Sequence, residues 1–278
     1  MVAILTLKRK DPKQTALEKE FAALTRKEAK LEQSILTSAP PHWKTDLEKK
    51  VPEKVYHSLE SAFSKAFSLV FLQGVGVIEK TYNRRNLEDT HSIQDYAVMV
   101  KGSRRELKQL RRNAGKAGMV NTALTTVEGV GLGALGIGLP DIIVFVSVLF
   151  KGVYETALSY GFSYDTPQER QFILCMMEAA LTKGSDFSAM NAKVDQMIAE
   201  MPQTNEDDLQ VQLRKTSHTF AADMLLLKFV QGFPLIGILG GAANPLYYNK
   251  VIHYVQFKYQ KRYLISAAQR KGISLRIH

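Results

Sequence analysis

The sequence predicts an all-α fold, a multi-helix bundle containing two Gly-rich apolar helical hairpins. Three observations carry that expectation. Apolar residues recur at three- and four-residue steps through most of the chain. Helix starts carry capping residues, most clearly in Thr166-Pro167-Gln168-Glu169. No alternating apolar run is bounded by hairpin turns.

Taken in order, Leu17, Phe21, Leu24, Leu31 and Ile35 trace one side of a helix over 16–35, with Glu28 as the exception in the stripe. This helix reads as a peripheral arm. Pro40-Pro41-His42-Trp43 then makes 38–51 a linker, with Trp43 as a packing anchor. The expected domains are therefore 1–50, an N-terminal helical arm and linker, and 51–278, the main helical domain. Val55, Leu59, Ala62, Phe63, Ala66, Phe67 and Val70 line a second helix, and 87–116 reads as a polar helix with one basic face.

Residues 117–139 hold six glycines, with Glu128 as the only charge. Pro140 and Asp141 open the next helix, where a carboxylate meets the positive end of the macrodipole, and Gly161 ends it. Ser147, Lys151, Glu155 and Ser159 give that helix a single narrow polar stripe, the pattern of a core element enclosed by neighbours. Thr166 should cap a helix over 167–182 while Glu169 reaches back to the Thr166 amide. An acidic stretch over 184–210 reads as a helix and an exposed loop, and 219–250 repeats the apolar, Gly-rich character before a basic aromatic helix that runs to about 268.

The chain carries a net charge of +10 over 278 residues, which points to an anionic partner. The charge is concentrated in two blocks, one from Lys101 to Lys116 and one at the carboxyl end, where no acid follows Asp223. Lys101, Arg104, Arg105, Lys108, Arg111, Arg112, Lys258, Lys261 and Arg262 are the candidate contacts to an anionic surface. The structural alternative is that they are ordinary solvated cations at helix ends. Aromatic residues interleave with the second block, but no nucleic-acid module carries them, so nucleic acid is not an expected partner.

Gly131-Leu132-Gly133-Ala134-Leu135-Gly136 satisfies a dinucleotide fingerprint in letters alone. Pro140 follows too soon, and no βαβ pattern surrounds it. Gly129 with Gly133, and Gly237 with Gly241, instead share a helix face and would let backbones approach closely. Glu128 and Asp141 interrupt the first apolar unit and Pro234, Asn244 and Pro245 the second, so a core segment leads over a bilayer span or a shallow insertion. Histidine spacing and the single Cys175 offer no metal set, no cofactor is expected, and Ser163 lacks the glycine of a nucleophile elbow. Cys175 lies in an apolar run and reads as a buried small side chain in a reducing compartment. The first ten residues place apolar before basic side chains, so no export signal is expected and the protein is placed in the cytoplasm, with the inner face of the cell membrane as the surface it would meet.

The run Gly131-Leu132-Gly133-Ala134-Leu135-Gly136-Ile137-Gly138-Leu139-Pro140-Asp141 is followed by Tyr160-Gly161-Phe162-Ser163-Tyr164-Asp165 and Pro167-Gln168-Glu169-Arg170. Farther on stand Phe233-Pro234-Leu235-Ile236-Gly237 and Lys261-Arg262-Tyr263-Leu264. In order and spacing this resembles the EcsC family over roughly residues 80–270, with Pro140 standing where the family's usual alanine precedes the aspartate. The resemblance implies a helical domain and, through the gene that gives the family its name, a link to an ABC exporter. Two function classes stay open. One is a non-enzymatic protein on an anionic membrane surface or a membrane protein. The other is a hydrolase or small-ligand-binding protein with an acidic cleft built from Glu128, Asp141 and Asp223, although the reading of Asp141 as a helix N-terminal residue and of the others as core ion pairs leads over it. The absence of a recognisable catalytic arrangement leans the reading away from an enzyme.

Overall fold

Thr15 opens the first helix with a reciprocal cap. Its amide donates to Glu18 Oε2 at 2.6 Å, and the Glu18 amide donates back to Thr15 Oγ1 at 3.2 Å. The computed structural model describes residues 15–37, 53–117, 140–230 and 243–275, and all regular structure among them is helical. The helices are α1 Ala16–Thr37, α2 Glu53–Ser68, α3 Val75–Glu79, α4 Arg84–Lys101, α5 Arg104–Ala117, α6 Pro140–Ser159, α7 Pro167–Leu181, α8 Gly184–Ala199, α9 Glu206–Val230 and α10 Ala243–Arg270. The expected linker over 38–51 and both Gly-rich units, with the motif at 131–136, lie outside the described residues apart from their helical flanks.

The core forms where α6, α7 and α10 meet. Helix α6 packs against α2, α3, α4, α5 and α10, while α7 packs against α8, α9 and α10. Phe67 of α2 stands between Phe150 of α6 and Phe220 of α9, with ring centroids 5.6 and 5.1 Å away. Each such ring taken fully from water contributes about 1.5–3 kcal/mol. After α2 the chain widens into a π-helical turn, Leu69–Gln73. The Phe71 carbonyl within it accepts from Arg170 of α7 at 2.7 Å, and the guanidinium also lies 4.9 Å over the Phe71 ring.

Several expectations hold. Helix α6 starts at Pro140, its Lys151–Glu155 pair is buried at 2.9 Å, and Ser147 and Ser159 close onto carbonyls one turn back. Others need correction. The polar helix over 87–116 is two helices, because Gly102 adopts a left-handed φ of 59° and caps α4 while Ser103 starts α5. Helix α1 is no peripheral arm: it packs on α5, α8 and α10, and Leu17, Phe21 and Leu24 belong to the common buried cluster. Only half of the capping arrangement at α7 forms. The Glu169 amide donates to Thr166 Oγ1 at 3.2 Å, but the Glu169 carboxylate accepts from Tyr259 and Arg262 instead of reaching back.

The link between α6 and α7 shows what the quoted signature residues do. Phe162 stacks on Tyr259 at 5.5 Å, Tyr164 stacks on Tyr154 at 4.1 Å, and the Tyr164 hydroxyl donates to Glu79 at 2.5 Å. Asp165 receives Arg84 at 2.5 Å. Gly161 reverses the chain at φ 80°, and a Cβ there would overlap the His91 ring. Gly161→Ala is therefore expected to lose about 2–4 kcal/mol, from the left-handed backbone plus the overlap, measured by urea unfolding.

His91 Nδ1 donates to the Ser159 carbonyl at 3.1 Å, and burial pushes the imidazole below its ordinary value of 6.5, Arg270 adding to that while Asp95 opposes it. Between the two values the unfolded chain holds more protons than the fold. The contribution of a neutral His91 is thus complete above pH 6.5 and is lost as pH falls from there through the lowered folded value. Unfolding measured from pH 8 to 5 should show this decline, and His91→Gln should flatten it.

Candidate functional site

Helix α5 owes its character to spacing. Leu107, Leu110 and Ala114 fall on one side and are 3%, 2% and 0% exposed, so the remaining circumference is left to long cations. Those cations divide into two sets. Arg104 and Arg111, seven residues apart, turn toward α1, where both pair with Glu20, a carboxylate only 2% exposed. Arg105, Lys108, Arg112 and Lys116 face outward, are exposed, and make no ion pair among the described residues. The outward side borders an open concavity of about 630 Å³, which Arg104 also lines and to which Gln109 and Asn113 add amides. Lys101 is exposed at the end of α4, three residues before α5 begins.

Helix α4 brings something the sequence reading missed. Ile93, Tyr96 and Val100, spaced three and four apart, are 71%, 71% and 63% exposed. They form an apolar strip on the helix that leads into the basic one. The helical period was there to find it, but the polar composition of 87–116 drew attention to the charges alone.

The second set of expected contacts is placed differently. Lys258 is wholly buried and donates to Glu28 of α1 at 2.5 Å and to Asp195 of α8 at 2.6 Å. Lys261 binds the same two carboxylates at 2.7 and 2.9 Å. Asn191 donates to Glu28 at 3.4 Å and accepts from the Tyr254 hydroxyl at 2.8 Å. Burial alone would raise the Glu28 carboxyl, but the two ammonium groups outweigh it and hold it below the ordinary carboxylate value. Burial likewise opposes the charge on Lys261, and Asp195 and Glu28 together push its value up. Arg262 Nη1 donates to both oxygens of Glu169 at 2.9 and 2.7 Å and its guanidinium lies 4.1 Å over the Phe162 ring. Lys258, Lys261 and Arg262 are therefore internal ties between helices, not surface contacts. The reason is that each faces a carboxylate across the core, where an unpaired charge would be costly.

Of the three acids expected to line a cleft, Glu128 lies outside the described residues, as does the side chain of Asp141, whose backbone is in the first turn of α6. Asp223 is ion-paired with Lys183, and its carbonyl accepts from the Tyr247 hydroxyl at 2.7 Å. Cys175 is buried, and that burial raises its thiol to about 11, as expected of an unreactive core side chain. One described helix, α6, is long and apolar enough over Ile142–Ser159 to cross a membrane, and 83% of that window is buried within the protein.

No curated protein and no solved structure matches the chain. The model of the EcsC protein family matches residues 16–264, which takes in α1 as well as the signature between α6 and α7, and the chain belongs to that family.

Proposed function

We propose that this protein is a non-enzymatic member of its family that docks peripherally on the anionic inner face of a cell membrane, beside a membrane protein such as the exporter that gives the family its setting. The observation that carries the proposal is the outward face of α5, where Arg105, Lys108, Arg112 and Lys116 stand exposed and make no ion pair among the described residues, although the Glu106 carboxylate lies near enough to feel Arg105. A cation near an anionic bilayer contributes about 1 kcal/mol, so four on one face suffice for reversible attachment without a spanning segment. The exposed strip of Ile93, Tyr96 and Val100 on the preceding helix offers apolar area that a headgroup region can accept.

Sedimentation with phospholipid vesicles tests the proposal. The protein should pellet with vesicles rich in phosphatidylglycerol, remain in the supernatant with phosphatidylcholine alone, and be released as salt shortens the screening length from about 10 Å at 0.1 M to about 3 Å at 1 M. Equal recovery with both vesicle types would reject it.

A further inference from the structure

The side chains that line the open concavity on α5 fall into two rows. Arg104, Lys108, Arg112 and Lys116 follow one another at four-residue steps, so each cation stands about 6 Å along the axis from the next. Arg105, Gln109 and Asn113 form a second row beside the first at the same spacing. Every lining side chain among the described residues carries N–H donors, and none is a carboxylate. Glu106, the one acid of α5, accepts from Ser103 instead. Arg104 also meets Glu20 at 3.6 Å, but Arg111 is the nearer partner of that carboxylate. Diffuse attraction to an anionic surface needs only the charges. It accounts neither for a concavity nor for two neutral amides set among the cations.

From this arrangement we infer that the α5 concavity selects, among anionic lipids, one whose headgroup carries two phosphodiesters on a single glycerol; the inference rests on α5 being the face that meets the membrane. About six bonds separate the phosphorus atoms of such a headgroup, so its phosphates stand roughly one helical turn, about 5–6 Å, apart. One phosphate lies at the level of Lys108 and Gln109, the other one turn on at Arg112 and Asn113, with Arg105 and Lys116 closing the ends. The charges agree, since two phosphodiesters bring two negative charges to five lining cations, one of which is shared with Glu20. Size agrees too: about 630 Å³ falls among the volumes of small-molecule sites, about 300–1,000 Å³, and exceeds what a single phosphate fills. Basic pockets of this kind recognise phosphorylated headgroups, the guanidinium and amide groups supplying direction and the ammonium groups charge. A lipid with one phosphodiester occupies one turn, and the other turn waits for a second lipid to be gathered from the bilayer. Tethering presents the second phosphate at high effective concentration.

Sedimentation with two kinds of phosphatidylcholine vesicle tests this. In one, about one lipid in five is phosphatidylglycerol; in the other, about one in ten is cardiolipin, which equalises the surface charge. The parent should partition onto the cardiolipin vesicles about fivefold more strongly, the factor saved when the second phosphate is tethered and need not be found among one lipid in five. Gln109→Ala/Asn113→Ala keeps every charge and favours the helix, and it should bring that ratio close to one. A ratio of one in the parent, with attachment to phosphatidylglycerol intact, overturns the headgroup assignment and leaves α5 as the membrane face. A ratio that persists in the double-alanine variant overturns the concavity as the selecting site. Absence of attachment to both vesicles overturns the membrane reading, and this inference with it.

Discussion

Lys258→Met is expected to destabilise the fold by about 3–5 kcal/mol, because it leaves Lys261 alone against the buried carboxylate of Glu28 and the partly buried one of Asp195. Methionine keeps most of the apolar stem of lysine, so lost packing contributes little. The double variant Lys258→Met/Glu28→Leu restores a one-to-one pairing of Lys261 with Asp195 and should recover a large part of the loss in a double-mutant cycle by urea unfolding. The pH dependence supplies a second signature. In the parent, the depressed Glu28 value means its contribution is complete above pH 4.5 and is lost as pH falls through the folded value. The raised Lys261 value means its share is complete below pH 10.5 and is lost as pH rises through the folded value. In Lys258→Met the low-pH arm should shrink, because only Lys261 is left to oppose the burial that raises the Glu28 carboxyl. A loss below about 1 kcal/mol, typical of solvated pairs, would mean that the network is open to water.

These ties also show where a single sequence stops being readable. Both helix starts at α6 and α7 were legible because caps and prolines act within four residues of the backbone they satisfy. The break at Gly102 was missed because the residues on either side favour helix equally, and only the left-handed conformation at that glycine separates α4 from α5. Glu28 was visible as the one charge in the apolar stripe of α1. On α10, Lys258 continues the buried spacing of Val251, Tyr254 and Val255, so its place on the inner face could have been read from the period. Its partners could not, since Glu28 and Asp195 lie 230 and 63 residues away and pairing across such distances is set by the packing of whole helices. The basic block over 101–116 needed only local periodicity, and its division into inward and outward cations needed the position of Glu20.

Arg105→Gln/Lys108→Gln/Arg112→Gln/Lys116→Gln is expected to produce the largest change in any binding measurement. All four residues are exposed and unpaired among the described residues, so their loss leaves the packing of Leu107, Leu110 and Ala114 and the pairing of Glu20 intact. Glutamine is as good a helix former as the residues it replaces, so α5 should persist and the urea midpoint should move little. At about 1 kcal/mol for each cation, the partition onto an anionic bilayer should fall by about 4 kcal/mol, or roughly three orders of magnitude. Removing the apolar strip by Ile93→Ser/Tyr96→Ser/Val100→Ser should instead weaken attachment while preserving its dependence on salt. The decisive measurement is the partition coefficient of the four-glutamine variant on phosphatidylglycerol vesicles at 0.1 M salt. A fall of about a thousandfold with an unchanged unfolding midpoint is the expected result, and binding equal to that of the parent would contradict the assignment of α5 as the face that meets the membrane.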